Sequence, residues 1–334
     1  MPSTTDRPRR RDRRRRWPAL LCGLVLTACG PAATSTGAGS PDAAAPSLPA
    51  SAQAAEPSGL DGAALSSVAQ IDGATAAVGS DGDGAAAWTS QDGVTWEPAD
   101  VAEAASVPAL RAVAFADRGV AFGGDDIEES RLWTSVDGTT WEPAGEGVGE
   151  ALGGRVNAVA PDGAGWAAVG DRVDPEGGEA AGGVLWTSPD GTSWEVAAEL
   201  PLDEGTISDV VVTDDGMIVA GFDVAGGRMW TVDDRGTPTA ADGDFGATTI
   251  QGVAEVDGGY VAMGSGIGDL LPVLWTSEDG RAWTRHDLDP TVFAPEDEIN
   301  DVTAVDGRVV AVGSGPDGAA LWISDDGRAW ERLF

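Results

Sequence analysis

The sequence has no lysine, one histidine, one tyrosine and two cysteines in 334 residues. A nucleophilic triad needs a base such as histidine, and a structural zinc site needs several cysteine or histidine ligands, so both kinds of site are disfavoured. Positive charge is also scarce, because 20 arginines face 55 carboxylates, for a net charge of −35. A field of that sign repels phosphate backbones, so we expect no nucleic-acid partner.

The arginines that do occur are concentrated at the N-terminus. The charged stretch "RPRRRDRRRRW" is followed by the short apolar run "PALLCGLVL" and by "LTAC", which ends at Cys29, and the apolar run is too short to span a bilayer. This arrangement resembles a bacterial lipoprotein signal peptide, which implies cleavage before Cys29 and a diacylglyceryl group on its sulfur. We expect export by the Sec or twin-arginine route and lipid anchoring to the outer face of the cell membrane; a signal peptide cleaved elsewhere is the alternative.

Residues 29–60 are nearly all Ala, Pro, Ser, Thr and Gly after the cysteine. Such a composition buries too little apolar surface to order itself, which predicts a flexible tether. Removal of residues 1–28 would leave 12 arginines and 53 carboxylates, a net charge of −41. Cys22 would leave with the signal peptide and Cys29 would be acylated, so burial without a disulfide must hold the fold.

From residue 61 onward the chain repeats a phrase of the form "LWTSVDGTTW" six times. The repeats are spaced by 44 to 53 residues, close to the length of a four-stranded propeller blade. Before each copy, two alternating apolar runs meet at a turn, most often Asp-Gly, as two antiparallel strands would. The sequence therefore predicts an all-β, six-bladed β-propeller over residues 61–334, with no strand shared to close the ring. The predicted blades span about 63–99, 108–144, 154–198, 205–240, 248–285 and 298–334.

The repeated phrase predicts a hairpin between the third and fourth strands of each blade. We expect Trp133 and Trp141 to face each other across a turn centred on Asp137, with Gly138 in a left-handed conformation. Burying one tryptophan contributes up to ~5 kcal/mol, against ~1 kcal/mol for a turn hydrogen bond. The predicted turn aspartates are Asp92, Asp137, Asp190, Asp234, Asp279 and Asp326. The predicted packing tryptophans are Trp88, Trp96, Trp133, Trp141, Trp186, Trp194, Trp230, Trp275, Trp283, Trp322 and Trp330.

This phrase resembles the Asp-box, or bacterial neuraminidase repeat, whose usual form is Ser-x-Asp-x-Gly-x-Thr-Trp. Here Asp and Gly are adjacent, and in blade 4 Val232 and Pro238 replace the serine and the second tryptophan, so that blade should be the least stabilised. The resemblance implies boxes on the outer side of the propeller, in proteins that include sialidases, other glycosidases, sortilin-type receptors and photosystem assembly factors. A sialidase would also need an arginine triad and a tyrosine nucleophile, whereas Tyr260 is expected at the end of its blade away from the ligand.

Alignment of the six inner strands places a polar residue directly after an apolar one in every blade. We expect these side chains to form a ring at the mouth of the central channel, with Asp209 and Asp301 one residue further in. The ring suits a small polar ligand, a glycan or a cation; the alternative is that each inner strand simply starts in solvent. The predicted ring consists of Ser66, Arg111, Asn157, Ser208, Gln251 and Asn300.

Loops between the second and third strands should open at the same face, and several are rich in acid. Oxygen ligands suit Ca²⁺, so Asp81, Asp83, Asp125 and Asp126 are candidate calcium ligands, although their spacing matches no known calcium loop. No other cofactor is expected. Phe293 is a candidate exposed contact or, alternatively, pins its own loop, and His286 is expected in a solvated loop.

These observations favour a monomeric, lipid-anchored propeller that binds or scaffolds a protein, glycan or cation without catalysis. One alternative is an exo-acting glycosidase of the sialidase superfold, which should show a carboxylate pair and converging arginines at the channel mouth. A second alternative is an assembly factor for a membrane complex, which should expose a contiguous apolar patch.

Overall fold

The computed structural model describes residues 58–71, 73–124, 130–144, 152–163, 165–173, 180–202, 204–316 and 318–334. Over these residues the chain forms six sheets, each built on four antiparallel strands, and the inner strands of successive blades contact one another around a complete ring. The prediction of a six-bladed β-propeller with four-stranded antiparallel blades is confirmed. Cys29, the predicted signal peptide and all but the last three residues of the predicted tether lie outside the described residues.

In each of the first three blades the strands run from the channel outwards in chain order. Blade 1 consists of β1 (Ala64–Ile71), β2 (Ala74–Ser80), β3 (Ala85–Ser90) and β4 (Trp96–Pro98). Blade 2 consists of β6 (Leu110–Phe115), β7 (Gly119–Gly123), β8 (Arg131–Ser135) and β9 (Thr140–Pro143), with β5 (Asp100–Val101) outside β9. Blade 3 consists of β10 (Gly154–Asp162), β11 (Gly165–Val173), β12 (Ala180–Ser188) and β13 (Glu195–Leu200).

The last three blades repeat this order. Blade 4 consists of β14 (Gly205–Thr213), β15 (Gly216–Asp223), β16 (Gly226–Val232) and β17 (Pro238–Ala240). Blade 5 consists of β19 (Thr248–Val256), β20 (Gly259–Gly266), β21 (Pro272–Ser277) and β22 (Ala282–Asp287), with β18 (Asp242–Gly243) outside β22. Blade 6 consists of β23 (Glu298–Val305), β24 (Arg308–Gly315), β25 (Gly318–Ser324) and β26 (Trp330–Arg332).

Two blades thus gain a fifth, two-residue strand that the repeat did not predict. β5 and β18 pair in parallel with the outer strand of the blade that follows them in the chain, and Ser58 makes a comparable parallel bridge to Thr95 in blade 1. The segment that enters a blade therefore crosses its outer edge before it turns inwards. In blade 2 this segment also accepts the indole N–H of Trp133 at the Ala102 carbonyl, 2.8 Å away.

The core lies between the blades. In the described part of blades 1 and 6, Leu65 and Trp88 pack in one buried cluster with Val312 and Leu321. No strand of blade 1 pairs with a strand of blade 6 among the described residues, so side-chain packing and side-chain hydrogen bonds close this ring. The middle of each second strand is apolar because both of its faces meet a neighbouring blade: in β2, for example, Ala77 packs in the cluster shared with blade 6 and Val78 in the cluster shared with blade 2.

The turn between third and fourth strands has the same geometry in five blades. In blade 2, the Ser135 hydroxyl accepts the amide of Gly138 at 2.9 Å, and Asp137 Oδ1 accepts the amides of Thr139 and Thr140 at 2.9 and 3.2 Å. Gly138 has φ of 75°, as predicted. The aspartate therefore satisfies the free amides of a turn whose left-handed residue must be glycine.

The prediction that the two tryptophans of a blade face each other is wrong. Trp133 lies opposite Pro143, and in blade 1 Trp96 lies opposite Ser90. The five-residue turn is centred on the glycine and not on the aspartate, which shifts the register by two residues. The indoles of Trp133 and Trp141 still share one buried cluster, in which both are fully buried.

Blade 4 has a different turn, and the assignment of Asp234 as its turn aspartate is wrong. Asp233 accepts the amides of Arg235 and Thr237 instead, at 3.0 and 2.8 Å. The spacing of the turn residues differs: Asp137 directly precedes the left-handed Gly138 in blade 2, whereas two residues separate Asp233 from Gly236, which has φ of 76°. The described part of the chain contains no helix with the length and hydrophobicity needed to span a bilayer.

Candidate functional site

The six predicted ring residues line one mouth of a central channel with a volume of about 320 Å³. Each of them falls at the register shift of its inner strand: in blade 1, for example, Leu65 pairs with Gly79 and Ser67 with Val78, which leaves Ser66 as the extra residue. The other shifts fall at Arg111, Asn157, Ser208, Gln251 and Asn300. A β-bulge redirects the side chain of its extra residue, and in every blade this extra residue is the polar one that follows an apolar one.

Three ring side chains also connect neighbouring blades. Asn157 donates to the carbonyl of Ile207 at 2.8 Å, Ser208 to that of Ile250 at 2.6 Å and Asn300 to that of Leu65 at 2.7 Å. Each acceptor is the apolar residue that precedes the ring residue of the next blade. The expectation that the inner strands merely start in solvent therefore does not describe these three positions.

Two guanidinium groups lie at the mouth. Arg111, in the ring, donates from Nε to the Gly124 carbonyl at 2.8 Å. Arg155 also lines the mouth, and its ion pair with the buried carboxylate of Asp171 is 2.6 Å long. Asp171 further accepts Asn157 Nδ2 at 3.0 Å and the Ile207 amide at 2.8 Å, so it holds blades 3 and 4 together.

Arg155 and Asp171 were not among the sequence-predicted site residues. Asp171 directly follows a second-strand Val-Gly pair, at the position that Ser80, Ser265 and Ser314 occupy in other blades. Comparison of this position among the six blades would have singled out its charge. Arg155 has no comparable signal, because only the folded strand shows that its side chain returns to the mouth.

Two carboxylates lie deeper in the channel. Asp209 accepts the amides of Val210 and Val253, both at 2.7 Å. Asp301 accepts the Ser67 hydroxyl at 2.8 Å and the amide of Val68 at 3.0 Å. Burial raises the pKa of both carboxyls, and the charge of Asp301 raises that of Asp209 further. Asp209 and Asp301 thus share the channel with Glu255, which lines it as an exposed residue, and each of the two aspartates also bonds the next blade.

The aspartates of the repeated turns lie elsewhere. None of them lines the channel. In blade 2, Leu110 at the mouth pairs with Gly123 at the end of β7, whereas Ser135, next to Asp137, pairs with Gly119 at the start of β7. The turn therefore lies at the end of the blade away from the mouth. Hydrogen bonds from backbone amides hold the pKa of the Asp137 carboxyl below its usual range, and the same cause lowers the pKa of Asp190, Asp279 and Asp326. These carboxylates are turn-forming groups.

The predicted calcium ligands are only partly described. Asp81 and Asp83 are exposed, and Asp81 accepts the Asp83 amide at 3.0 Å; Asp125 and Asp126 lie outside the described residues. Among the described residues, no three His, Cys, Asp or Glu side chains are grouped as a metal site requires. Calcium binding stays a prediction.

The prediction that Phe293 is an exposed contact is wrong. Its ring is 3% exposed and stacks on Trp322 with centroids 5.3 Å apart, so it pins its own loop, as the alternative had it. His286 is not in a loop either: it lies in β22, opposite Leu274, with Nε2 2.8 Å from the Thr276 hydroxyl. Tyr260 lies at the start of β20, beside Asp279 and away from the channel, and burial raises its pKa.

No protein-family model matches this sequence, and no curated protein matches it. Solved structures share its fold at low identity. YCF48 bound to D1 peptide has a TM-score of 0.51 at 17% identity, over 81% of this chain and 82% of that one. The Aleuria aurantia lectin AAL in complex with Fucalpha1-6GlcNAc has a TM-score of 0.55 at 10% identity, over 78% and 90% of the two chains.

Sialidases are a third kind of neighbour. Trypanosoma rangeli sialidase in complex with the inhibitor DANA has a TM-score of 0.54 at 10% identity. The alignment covers 79% of this chain and 55% of the sialidase, so this chain spans about half of that enzyme. The neighbours thus include binding proteins and glycoside hydrolases, and at these identities the likeness concerns the fold alone.

Proposed function

We propose that this protein is a non-catalytic binding lipoprotein whose propeller takes a glycan at the channel mouth. The observation that carries the proposal is the convergence of six bulged polar side chains on one cavity of about 320 Å³. Five of the six are Ser, Asn or Gln. These groups both donate and accept hydrogen bonds, as sugar hydroxyls do, so they match a glycan better than they match a metal ion.

Ser66 and Gln251 are the ring positions best suited to contact the ligand. The other four ring residues already donate a hydrogen bond within the protein. Asn157, Ser208 and Asn300 donate to a carbonyl of the next blade, and Arg111 donates to the Gly124 carbonyl. Ser66 and Gln251 are half-buried at the mouth.

The proposed membership of the Asp-box family and the proposed location are supported by sequence patterns. We propose that the turns are a variant Asp-box, because Ser135, Asp137 and Gly138 use their polar groups to close a turn far from the mouth. We also propose that acylated Cys29 anchors the protein to the outer face of the membrane, with residues 30–60 as a tether. A lectin and a sialidase among the structural neighbours support a sugar as ligand.

A glycoside hydrolase is the second candidate, favoured by one observation. Asp209 and Asp301 share the channel, and their raised pKa is the feature expected of paired catalytic carboxyls. Against this role, both carboxyls accept backbone amides from two blades, which commits their oxygens to holding the ring. The ligand-binding role therefore explains more of the site.

The experiment is a glycan array probed with the wild-type protein and two variants. Ser66→Tyr should fill the mouth without removing an inter-blade bond, while Val136→Tyr, on an exposed turn at the other end of blade 2, is the matched control. We expect Ser66→Tyr to weaken binding at least tenfold and the control to bind as wild type. Equal binding by all three proteins would place the ligand elsewhere. Hydrolysis of the bound glycans would show that the protein is a glycoside hydrolase and contradict a non-catalytic role.

A further inference from the structure

Exposed apolar side chains are concentrated on two neighbouring loops. Among the described residues, six large apolar side chains are exposed, and four of them lie on the loops between second and third strands of blades 4 and 5. These four, here called the apolar patch, are Val224, Ile267, Leu270 and Leu271, with exposures of 87%, 47%, 56% and 45%. Single exposed apolar residues are ordinary, but such a cluster is typical of an interaction surface.

The two loops lie side by side at the mouth end of the propeller. Gly226, next to the first loop, lies so close to Gly246 that a Cβ would overlap the Gly246 carbonyl. The adjacent Ala247 carbonyl accepts the amide of Ile267 at 2.8 Å. In blade 5, Thr248 pairs with Gly266, which puts the second loop at the end of the blade where the ring residue lies.

The backbone of the second loop presents its leucine at a conformational cost. Leu270 has φ of 56°, a left-handed conformation that favours glycine over leucine. Asp269 Oδ1 accepts the Leu271 amide at 3.2 Å, and the Gly266 carbonyl accepts the Leu270 amide at 3.1 Å. Folding alone would prefer glycine at position 270, so the exposed leucine at this position needs a reason outside the fold.

Charge selects the kind of partner. Asp269 borders the patch, as does Asp223, whose carboxylate is paired with Arg228 at 2.9 Å, and the whole chain has a net charge of −35. A second copy of this chain and an anionic membrane would both be repelled at close approach. A protein with an apolar pocket bordered by lysine or arginine is complementary to the patch in hydrophobicity and to the chain in charge.

We infer that the apolar patch docks a basic protein partner, with Leu270 inserted in the partner's apolar pocket. None of the four patch residues lines the channel or its mouth, so the patch leaves the proposed glycan site open. The inference does not rest on the proposed glycan binding. It assigns the protein a role of bridging a polar ligand and a second protein at one face.

The probe for this surface is a synthetic amphipathic helical peptide of leucine and lysine, titrated against the full chain by fluorescence anisotropy. The test variant is Ile267→Ser/Leu270→Gly/Leu271→Ser, and Val136→Ser is the control, because Val136 is 86% exposed at the opposite end of blade 2. A peptide with serine in place of leucine keeps the charge and removes the apolar face. We expect the test variant to bind the leucine peptide at least tenfold more weakly, and the control to bind it as wild type.

Folding is checked separately with Leu270→Gly alone. This variant should melt no lower than wild type, because glycine adopts the positive φ of position 270 without the steric cost that leucine has there. Equal affinity of wild type and test variant, or of the two peptides, would show binding by charge only and overturn the inference. If the wild type self-associated and the test variant did not, the patch would be the contact with a second copy of this chain. If the wild type bound phosphatidylcholine vesicles and the test variant did not, the patch would be a lipid-binding surface. Either outcome would also overturn it.

Discussion

Replacement of Trp133 by alanine should be the most damaging single change in the repeated phrase. The indole of Trp133 is fully buried between blades 1 and 2, and its N–H donates to the Ala102 carbonyl at 2.8 Å. Truncation of a core tryptophan to alanine costs about 3 to 5 kcal/mol. For a domain of this size each kcal/mol lowers the melting temperature by roughly 2–4 °C, so we expect a fall of about 10 °C.

The assay is differential scanning calorimetry of the wild type and three variants. Asp81→Ala removes an exposed loop carboxylate and should lower the melting temperature by at most ~1 °C. Trp133→Phe keeps part of the apolar contact and loses the hydrogen bond, so it should fall between wild type and Trp133→Ala. If Trp133→Ala and Asp81→Ala were equally stable, the tryptophans would not hold the blades together and the energetic argument would be refuted.

Three further predictions concern the anchor, the channel and catalysis. Cys29→Ala should move the protein from the membrane fraction to the soluble fraction on fractionation, and retention in the membrane would contradict acylation. The raised pKa of Asp209 means that its contribution to stability is present near pH 4 and is lost as pH rises through its folded pKa. The free energy of unfolding of the wild type minus that of Asp209→Ala, measured by urea unfolding, should therefore increase from pH 7 to pH 5. A difference that does not change with pH would show that the protonation of Asp209 is not linked to folding. A fluorogenic sialoside should not be hydrolysed, and turnover lost in Tyr260→Phe would identify the protein as a sialidase.

Much of the fold could be predicted from the sequence because it repeats. Six copies of one phrase at blade-length intervals indicate the number of blades, and the inner-strand alignment indicates the ring, since Ser66, Asn157 and Asn300 occupy one register position. The predicted register across each turn was wrong. Counting from Asp137 treats the aspartate as the centre, whereas the left-handed Gly138 is where the chain reverses.

The rest of the site depends on contacts that no local pattern encodes. The burial of Phe293 follows from stacking on Trp322, which is 29 residues away in the chain. The pairing of Arg155 with Asp171 joins two strands, and the amide of Ile207 completes it from the next blade. Comparison of the blades could single out the charge of Asp171, but it shows neither its partner Arg155 nor the stacking of Phe293 on Trp322.

Hydrogen exchange of the protein with and without its best glycan from the array would test the central claim most directly, namely that the ligand site is the mouth formed by the inner-strand bulges. We predict that the glycan slows exchange at the starts of the inner strands, around Ser66 and Gln251, and leaves the turns at Asp92 and Asp137 unchanged. Protection confined to those turns would contradict the account, because it would place the ligand at the opposite end of the blades.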